Sequence, residues 1–187
     1  MKRISEEILY KGQWLSLKRS VFANFENKKI YWENVERKNN AVSFAIIAKL
    51  IPSNRYILIR QFRHAVNNYI IGLPAGIAEV DISSEEDMKK CIIEELKEET
   101  GYTGKLKSKS PASKTNPAIM NNDFFIASVE IDENDSRNRN THQTLEPSEE
   151  IGIVLIKKKR IKNFLMEQID QGTDVGSGLL FLLYNLD

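Results

Sequence analysis

Residues 94–102 read Glu94-Glu95-Leu96-Lys97-Glu98-Glu99-Thr100-Gly101-Tyr102, and they set carboxylates where a helix ought to bury hydrocarbon. At about 3.6 residues per turn, Met88, Cys91, Ile92 and Leu96 form one apolar stripe. Glu95 and Glu99 fall near its middle and Glu98 on its edge, while Lys89, Lys90 and Lys97 lie at the margin or point away. A buried carboxylate without a partner is costly, so such a cluster calls for cations or protons. A hard divalent cation such as Mg2+ suits it, taking oxygen ligands and keeping waters for a phosphate substrate. The plainer alternative is an exposed acidic helix end with lysine partners.

The rest of the chain bounds the reading. At 187 residues it is long enough to bury a proper core, as one domain with a small appended sheet. A net charge of +1 leaves no electrostatic footprint for nucleic acid or an anionic membrane. Cys91 is the only cysteine, which rules out an intrachain disulfide, and its place in the stripe suits a small apolar residue. Residues 1–10 show no apolar signal-peptide core, and the apolar run 178–186 is too short to span a bilayer. A soluble cytoplasmic protein is expected.

Strands dominate the first third. Residues 14–22 and 29–35 alternate apolar and polar, with 24–27 as a hairpin turn. Residues 41–51 and 56–62 are more continuously apolar, as in strands covered on both faces, with Pro52-Ser53-Asn54 turning between them. Leu73-Pro74-Ala75-Gly76 is a loop signal. The acidic helix is predicted to start near Ser83 or Ser84, where Ser83 and Glu86 fit a capping box, and to end at Gly101. A strand is expected over 123–131, a mobile polar loop over 132–148, a strand over 151–156, and helices over 159–171 and 174–186.

The helix sequence resembles the signature of the Nudix hydrolases, G-x5-E-x7-R-E-U-x-E-E-x-G-U, with U aliphatic or aromatic. Glu95, Leu96, Glu98, Glu99, Gly101 and Tyr102 match its second half. Gln61-Phe62-Arg63 and Leu73-Pro74-Ala75-Gly76 are similar to the ADP-ribose and ADP-sugar pyrophosphatase branch. The likeness extends over nearly the whole chain, from Trp14 and Trp32 to Gly172-Thr173-Asp174. It implies an α+β fold, an α/β/α sandwich around a mixed sheet over 41–187. Residues 1–40 would then form an N-terminal antiparallel sheet used in dimerisation and nucleotide stacking.

The resemblance also implies a reaction, the Mg2+-dependent hydrolysis of a nucleoside diphosphate linked to a sugar or another group, with Mn2+ as a possible substitute. Water would attack one phosphorus of the diphosphate, giving a nucleoside monophosphate and a phosphorylated second product. Glu95 and Glu99 would be direct metal ligands, with Glu98 in the same cluster and the Ala75 carbonyl as a further ligand. A later loop carboxylate, Glu149 or alternatively Glu150, would complete the shell or help activate water. Trp14 and Trp32 would sandwich the adenine, one from each subunit of a homodimer, with Arg37 reaching across and Arg63 on the diphosphate. The plainer readings are interface or core tryptophans and a solvated acidic pair. His64 and His142 receive no role, and Thr115-Asn116-Pro117 fall where the terminal sugar is usually approached.

Three positions depart from the family pattern. Glu94 stands where the signature has arginine, which adds like charge and is expected to raise the pKa values of its neighbours. The interval from Gly76 to Glu94 is four residues too long, which suggests an insertion around residues 80–83. Gly72 replaces the usual glutamate before Leu-Pro-Ala-Gly. Two alternatives therefore stand beside the ADP-sugar reading. One is a weakened or inactive nucleotide-binding domain; the other is a hydrolase for a different nucleoside diphosphate derivative, such as GDP-mannose.

Overall fold

The computed structural model describes residues 1–38, 41–78 and 84–184, without the side chains of 181–184. The chain divides into two compact units, Met1–Ser43 with Ile77–Ser83 and Pro111–Phe125, and Phe44–Gly76 with Ser84–Ser110 and Ile126–Asp187.

The first unit carries a three-stranded antiparallel sheet of β1 (Lys2–Lys11), β2 (Leu15–Ala23) and β3 (Lys29–Arg37), in that order. The β2–β3 turn follows from Asn24, whose Oδ1 accepts the N–H groups of Glu26 at 2.9 Å and Lys28 at 2.8 Å. Asn27 takes the left-handed conformation that this turn requires, with φ 59°. The expected hairpin is therefore present. β1 is not evident from the sequence because its side chains are exposed throughout, leaving no inside–outside alternation to read. Residues 116–121 lie along β3: Val35 N donates to Ile119 O at 2.7 Å, and Asn121 Nδ2 to Glu36 Oε1 at 2.9 Å.

The main mixed sheet comprises β4 (Val42–Ile51), β5 (Arg55–Arg63), β6 (Asn68–Gly72), β7 (Ala75–Ala78), β8 (Lys105–Lys109), β9 (Phe124–Asp132), β10 (Ile151–Lys157) and β11 (Asp174–Val175). Its main path runs β11-β6-β5-β4-β9-β8, with β10 paired to β5 and β7 to β4. β11 is parallel to β6, whereas β5 is antiparallel to β4, β6 and β10. Among the described residues three α-helices complete it: α1 (Glu85–Thr100), α2 (Lys158–Asp170) and α3 (Ser177–Tyr184). The α+β expectation is met.

Alternation along β4 buries Phe44, Ile46, Ala48 and Leu50, and α1 contributes Ile92 and Leu96 to the core. A second apolar cluster joins Leu58 and Ile71 to Ile161, Leu165 and Leu179 of α2 and α3. Among the described residues no helix is long and apolar enough to cross a membrane.

Several local expectations change. α1 is capped by Ser84, whose hydroxyl accepts Asp87 N–H at 3.1 Å, one residue later than the Ser83–Glu86 box. Ser83 itself, with the suggested insertion at residues 80–83, lies outside the described residues. The Leu-Pro-Ala-Gly loop runs directly into strand β7 at Ala75, and Asp174 and Val175 form a strand before the last helix begins at Ser177.

The polar stretch 132–148 is not a loose loop. Its buried Asn138 accepts Thr103 N–H at 2.9 Å and donates to the carbonyls of Thr103 at 3.0 Å and Asp132 at 2.9 Å. Hydrophobicity alone could not reveal this anchor, because a polar side chain provides it.

Candidate active site

Helix α1 presents its carboxylates in graded burial: Glu99 is buried at 3% exposure, Glu95 is half-buried, and Glu98 is exposed. That grading follows the stripe read from the sequence. Gly101 closes the helix in the left-handed conformation, φ 74°, and its N–H donates to Lys97 O at 2.7 Å. The cap places the last turn, with Glu98 and Glu99, at the end of a terminated helix.

The Glu99 carboxylate reaches β7, where Oε2 accepts the Ala75 N–H at 2.9 Å. Burial pushes the Glu99 carboxyl up to about 8 against the helping bond from Ala75, and the charges of Glu95 and Glu149 push the same way. Arg63, at the end of β5, pulls it back down. The buried carboxyl of Glu99 therefore favours its protonated form.

Glu95 lies against the backbone of Gly76. A Cβ at position 76 would stand 2.6 Å from both Glu95 Cγ and Cδ and 2.8 Å from Oε1. The glycine of Leu73-Pro74-Ala75-Gly76 is therefore a close-approach position that leaves room for a carboxylate. Pro74 O accepts Ile46 N–H at 2.7 Å, fixing this segment to the central strand β4.

Glu149 and Glu150 separate. Glu149 is half-buried and close enough to Glu99 to raise its pKa; its own Oε2 accepts Glu146 N–H at 3.0 Å. Glu150 is exposed and accepts a hydrogen bond from the Tyr69 hydroxyl, which raises the Tyr69 pKa. The Arg60 guanidinium stacks 3.5 Å from the centroid of the same tyrosine ring. Of the two candidates, Glu149 is the one whose charge reaches Glu99.

Glu94 does not crowd the cluster as its sequence position suggests. It is exposed and pairs with Lys90 at 3.7 Å, and the charges that chiefly raise Glu99 are those of Glu95 and Glu149. One residue along the helix turns it about 100° away from Glu95, toward solvent. Its charge registers instead on Cys91, whose half-buried thiol is pushed up to about 11 by burial and by Glu95, Glu94 and Glu98.

Among the described residues no three His, Cys, Asp or Glu side chains already converge closely enough to grip a metal ion. The donor set nonetheless fits a hard divalent cation: it is all oxygen, it sits on one helix face, and its buried member is under-compensated. Ala75, whose carbonyl the resemblance implies as a further ligand, is held beside these carboxylates by its N–H bond to Glu99.

In the first unit, Trp14 is 71% and Trp32 50% exposed, and the Trp32 indole N–H donates to Ala118 O at 2.8 Å. The register opposes Leu15 to Arg37 and Ser20 to Trp32. Trp14 precedes the start of β2, whereas Trp32 lies opposite Ser20, five residues into that strand. Trp32 and Arg37, five apart on β3, also face opposite sides of that sheet. Sequence reasoning misses Gln143, Tyr69 and Asn138, polar residues whose partners are backbone groups or lie far along the chain.

No family model matches the chain. An uncharacterised Nudix hydrolase of Schizosaccharomyces pombe is 28% identical over 86% of this chain and 80% of its own length. An ADP-ribose pyrophosphatase of Saccharomyces cerevisiae is 27% identical over 86% of this chain and 71% of its own. The crystal structure of an ADP compounds hydrolase superposes with a TM-score of 0.67, covering 89% of this chain and 84% of that one at 16% identity, a likeness of fold. The chain is thus similar to Nudix hydrolases over most of its length, and these likenesses indicate a hydrolase.

Two outcomes follow from this geometry. Gly76→Ala should displace the Glu95 side chain while leaving the fold in place, because a flexible chain end can yield. Turnover is expected to fall on the order of 100-fold with a nearly unchanged melting temperature; unchanged turnover would show that the close approach is dispensable.

The second outcome concerns pH. Glu99 binds its proton more tightly folded, at about 8, than at its ordinary 4.5. Its contribution is fully present below about 4.5 and is lost as pH rises toward 8. Metal-free protein should therefore lose up to about 1.4 kcal/mol per pH unit across that window. Thermal melts from pH 5 to 8.5 should show this decline in the native protein and a flatter profile in Glu99→Gln. Parallel profiles would contradict the shifted carboxyl.

Proposed function

We propose that the chain hydrolyses the diphosphate bond of ADP-ribose or a related nucleoside diphosphate sugar, giving a nucleoside monophosphate and a sugar phosphate. The observation that carries this reading is the buried Glu99, bonded to Ala75 N–H and crowded by Glu95 and Glu149 at the mouth of the Leu-Pro-Ala-Gly segment. Similarity to a yeast ADP-ribose pyrophosphatase supports the substrate class.

Glu95, Glu98, Glu99 and the Ala75 carbonyl would hold Mg2+, with Mn2+ as a substitute. When bound, the ion would neutralise diphosphate charge and make a nearby water more acidic. Arg63 binds the diphosphate oxygens, a task suited to a guanidinium fork at an exposed strand end. Glu149 releases its bond to Glu146 N–H and takes the proton of the attacking water, while Glu150 remains with Tyr69. Trp14 and Trp32 offer flat faces to adenine, and Arg37, on the opposite side of the sheet from Trp32, would reach across to the other subunit.

In this reading the chain forms a homodimer in which each subunit supplies one of the two indoles. The exposed Ile4, Ile8, Tyr10 and Tyr31 of the same sheet supply apolar area for such an interface. The single cysteine and near-neutral charge suit a cytoplasmic enzyme.

The test is product release from ADP-ribose, ADP-glucose, GDP-mannose, NADH and diadenosine polyphosphates with Mg2+ or Mn2+. The reading predicts turnover of an ADP-sugar, abolished in Glu98→Gln and Glu99→Gln, with KM raised most by Trp14→Ala or Trp32→Ala. Turnover of GDP-mannose alone would move the substrate to another base. Silence across the panel with tight ligand binding would make the chain a nucleotide-binding relative without turnover.

A further inference from the structure

Glu94 occupies the signature position at which the Nudix pattern has arginine, and it points to solvent with Lys90 as its partner. It therefore does nothing to hold the carboxylate-bearing end of α1. The last turn of a helix leaves its carbonyls without intrahelical donors. Here the polar segment after β9 provides two of them. Thr144 N–H donates to Glu98 O at 2.9 Å, and Gln143 Nε2 donates to Glu99 O at 2.6 Å.

Gln143 does more than cap. The same Nε2 donates to Ile151 O, the first residue of β10, at 3.0 Å. Both partners are carbonyls, which only accept, so the amide orientation is dictated by the bonds themselves. One side-chain nitrogen thus ties the backbone of Glu99 to the backbone two residues after Glu149. The neighbouring residue is pinned as well: Glu150 O accepts Phe62 N–H at 3.1 Å, and its carboxylate accepts the Tyr69 hydroxyl. Glu149 therefore approaches Glu99 from a strand end fastened on both sides.

We propose that Gln143 is the positioning residue of this site, setting the spacing between the α1 carboxylates and Glu149. The inference rests on the reading of these carboxylates as the metal and water site. Gln143 carries no charge, and its amide nitrogen is engaged by two backbone carbonyls. Its effect is to keep two catalytic elements in register, which neither the cap of Gly101 nor the Ala75–Glu99 bond can do, since both act within the α1–β7 side alone.

Gln143→Met keeps length and volume but removes the donor. Amide hydrogen exchange of the metal-free protein gives the first readout. A bridge predicts faster exchange in both 97–101 and 149–153, whereas a simple helix cap predicts faster exchange in 97–101 alone, which would overturn the proposal. The second readout is kinetic and metal-binding. In Gln143→Met, kcat on ADP-ribose and Mn2+ affinity without substrate should each fall about tenfold or more, with KM nearly unchanged.

Ile161→Val, a mild truncation in the α2 cluster, controls for stability and should move the melting temperature without changing kcat or Mn2+ affinity. Unchanged kcat and Mn2+ affinity in a folded Gln143→Met would overturn the proposal. If the native protein hydrolyses none of the substrates, the substrate reading fails, and the exchange pattern still decides whether Gln143 bridges the two segments.

Discussion

The hydrogen bond from Ala75 N–H to the Glu99 carboxylate is the constraint around which this site is arranged. It fastens the end of α1 to the start of β7 through a group that is nearly inaccessible to water. Burial makes the ionised form of Glu99 expensive, and nearby Glu95 and Glu149 make it more so. A hydrogen bond to one backbone amide offsets part of this cost and leaves the remainder as an affinity for protons or cations. The same chemistry that makes the apo cluster uncomfortable makes it receptive.

Other elements serve that arrangement. Gly76 lacks a side chain where Glu95 needs space, and Pro74 anchors the segment to β4 through Ile46. The Leu-Pro-Ala-Gly stretch is therefore both a strand entrance and a wall of the site. On the other side, the segment after β9 supplies Gln143 and Thr144 to the open end of α1, and Tyr69 with Arg60 gathers Glu150. The acidic side chains among the described residues stand near one another without converging into a ligand set. Like charges repel, which favours such a spread.

Much of the fold and most of the candidate site can be read from the chain because periodicity encodes them. The stripe through Ile92 and Leu96 sets Glu99 inside and Glu98 outside, and alternation in β4 marks its buried face. β1 is invisible to such a reading, since an all-exposed strand shows no alternation. The capping residue shifts by one position because Ser83 and Ser84 both precede acidic residues at capping distance. Glu94 misleads for a different reason: like charge matters through distance and solvent, and a solvent-facing side chain paired with Lys90 is screened. The roles of Asn138 and Gln143 depend on backbone partners far along the chain, which composition and spacing do not encode.

Proton release on metal binding tests the central claim most directly. At pH 7 a Glu99 carboxyl that titrates near 8 is largely protonated in the metal-free protein, and a divalent cation at the cluster must displace that proton. Calorimetric titration of Mg2+ or Mn2+ in buffers of different ionisation enthalpy should reveal release of about one proton per ion bound, absent in Glu99→Gln. Binding with no proton released from the native protein would mean that Glu99 is already ionised, and that the burial on which this account of the site depends does not govern its chemistry.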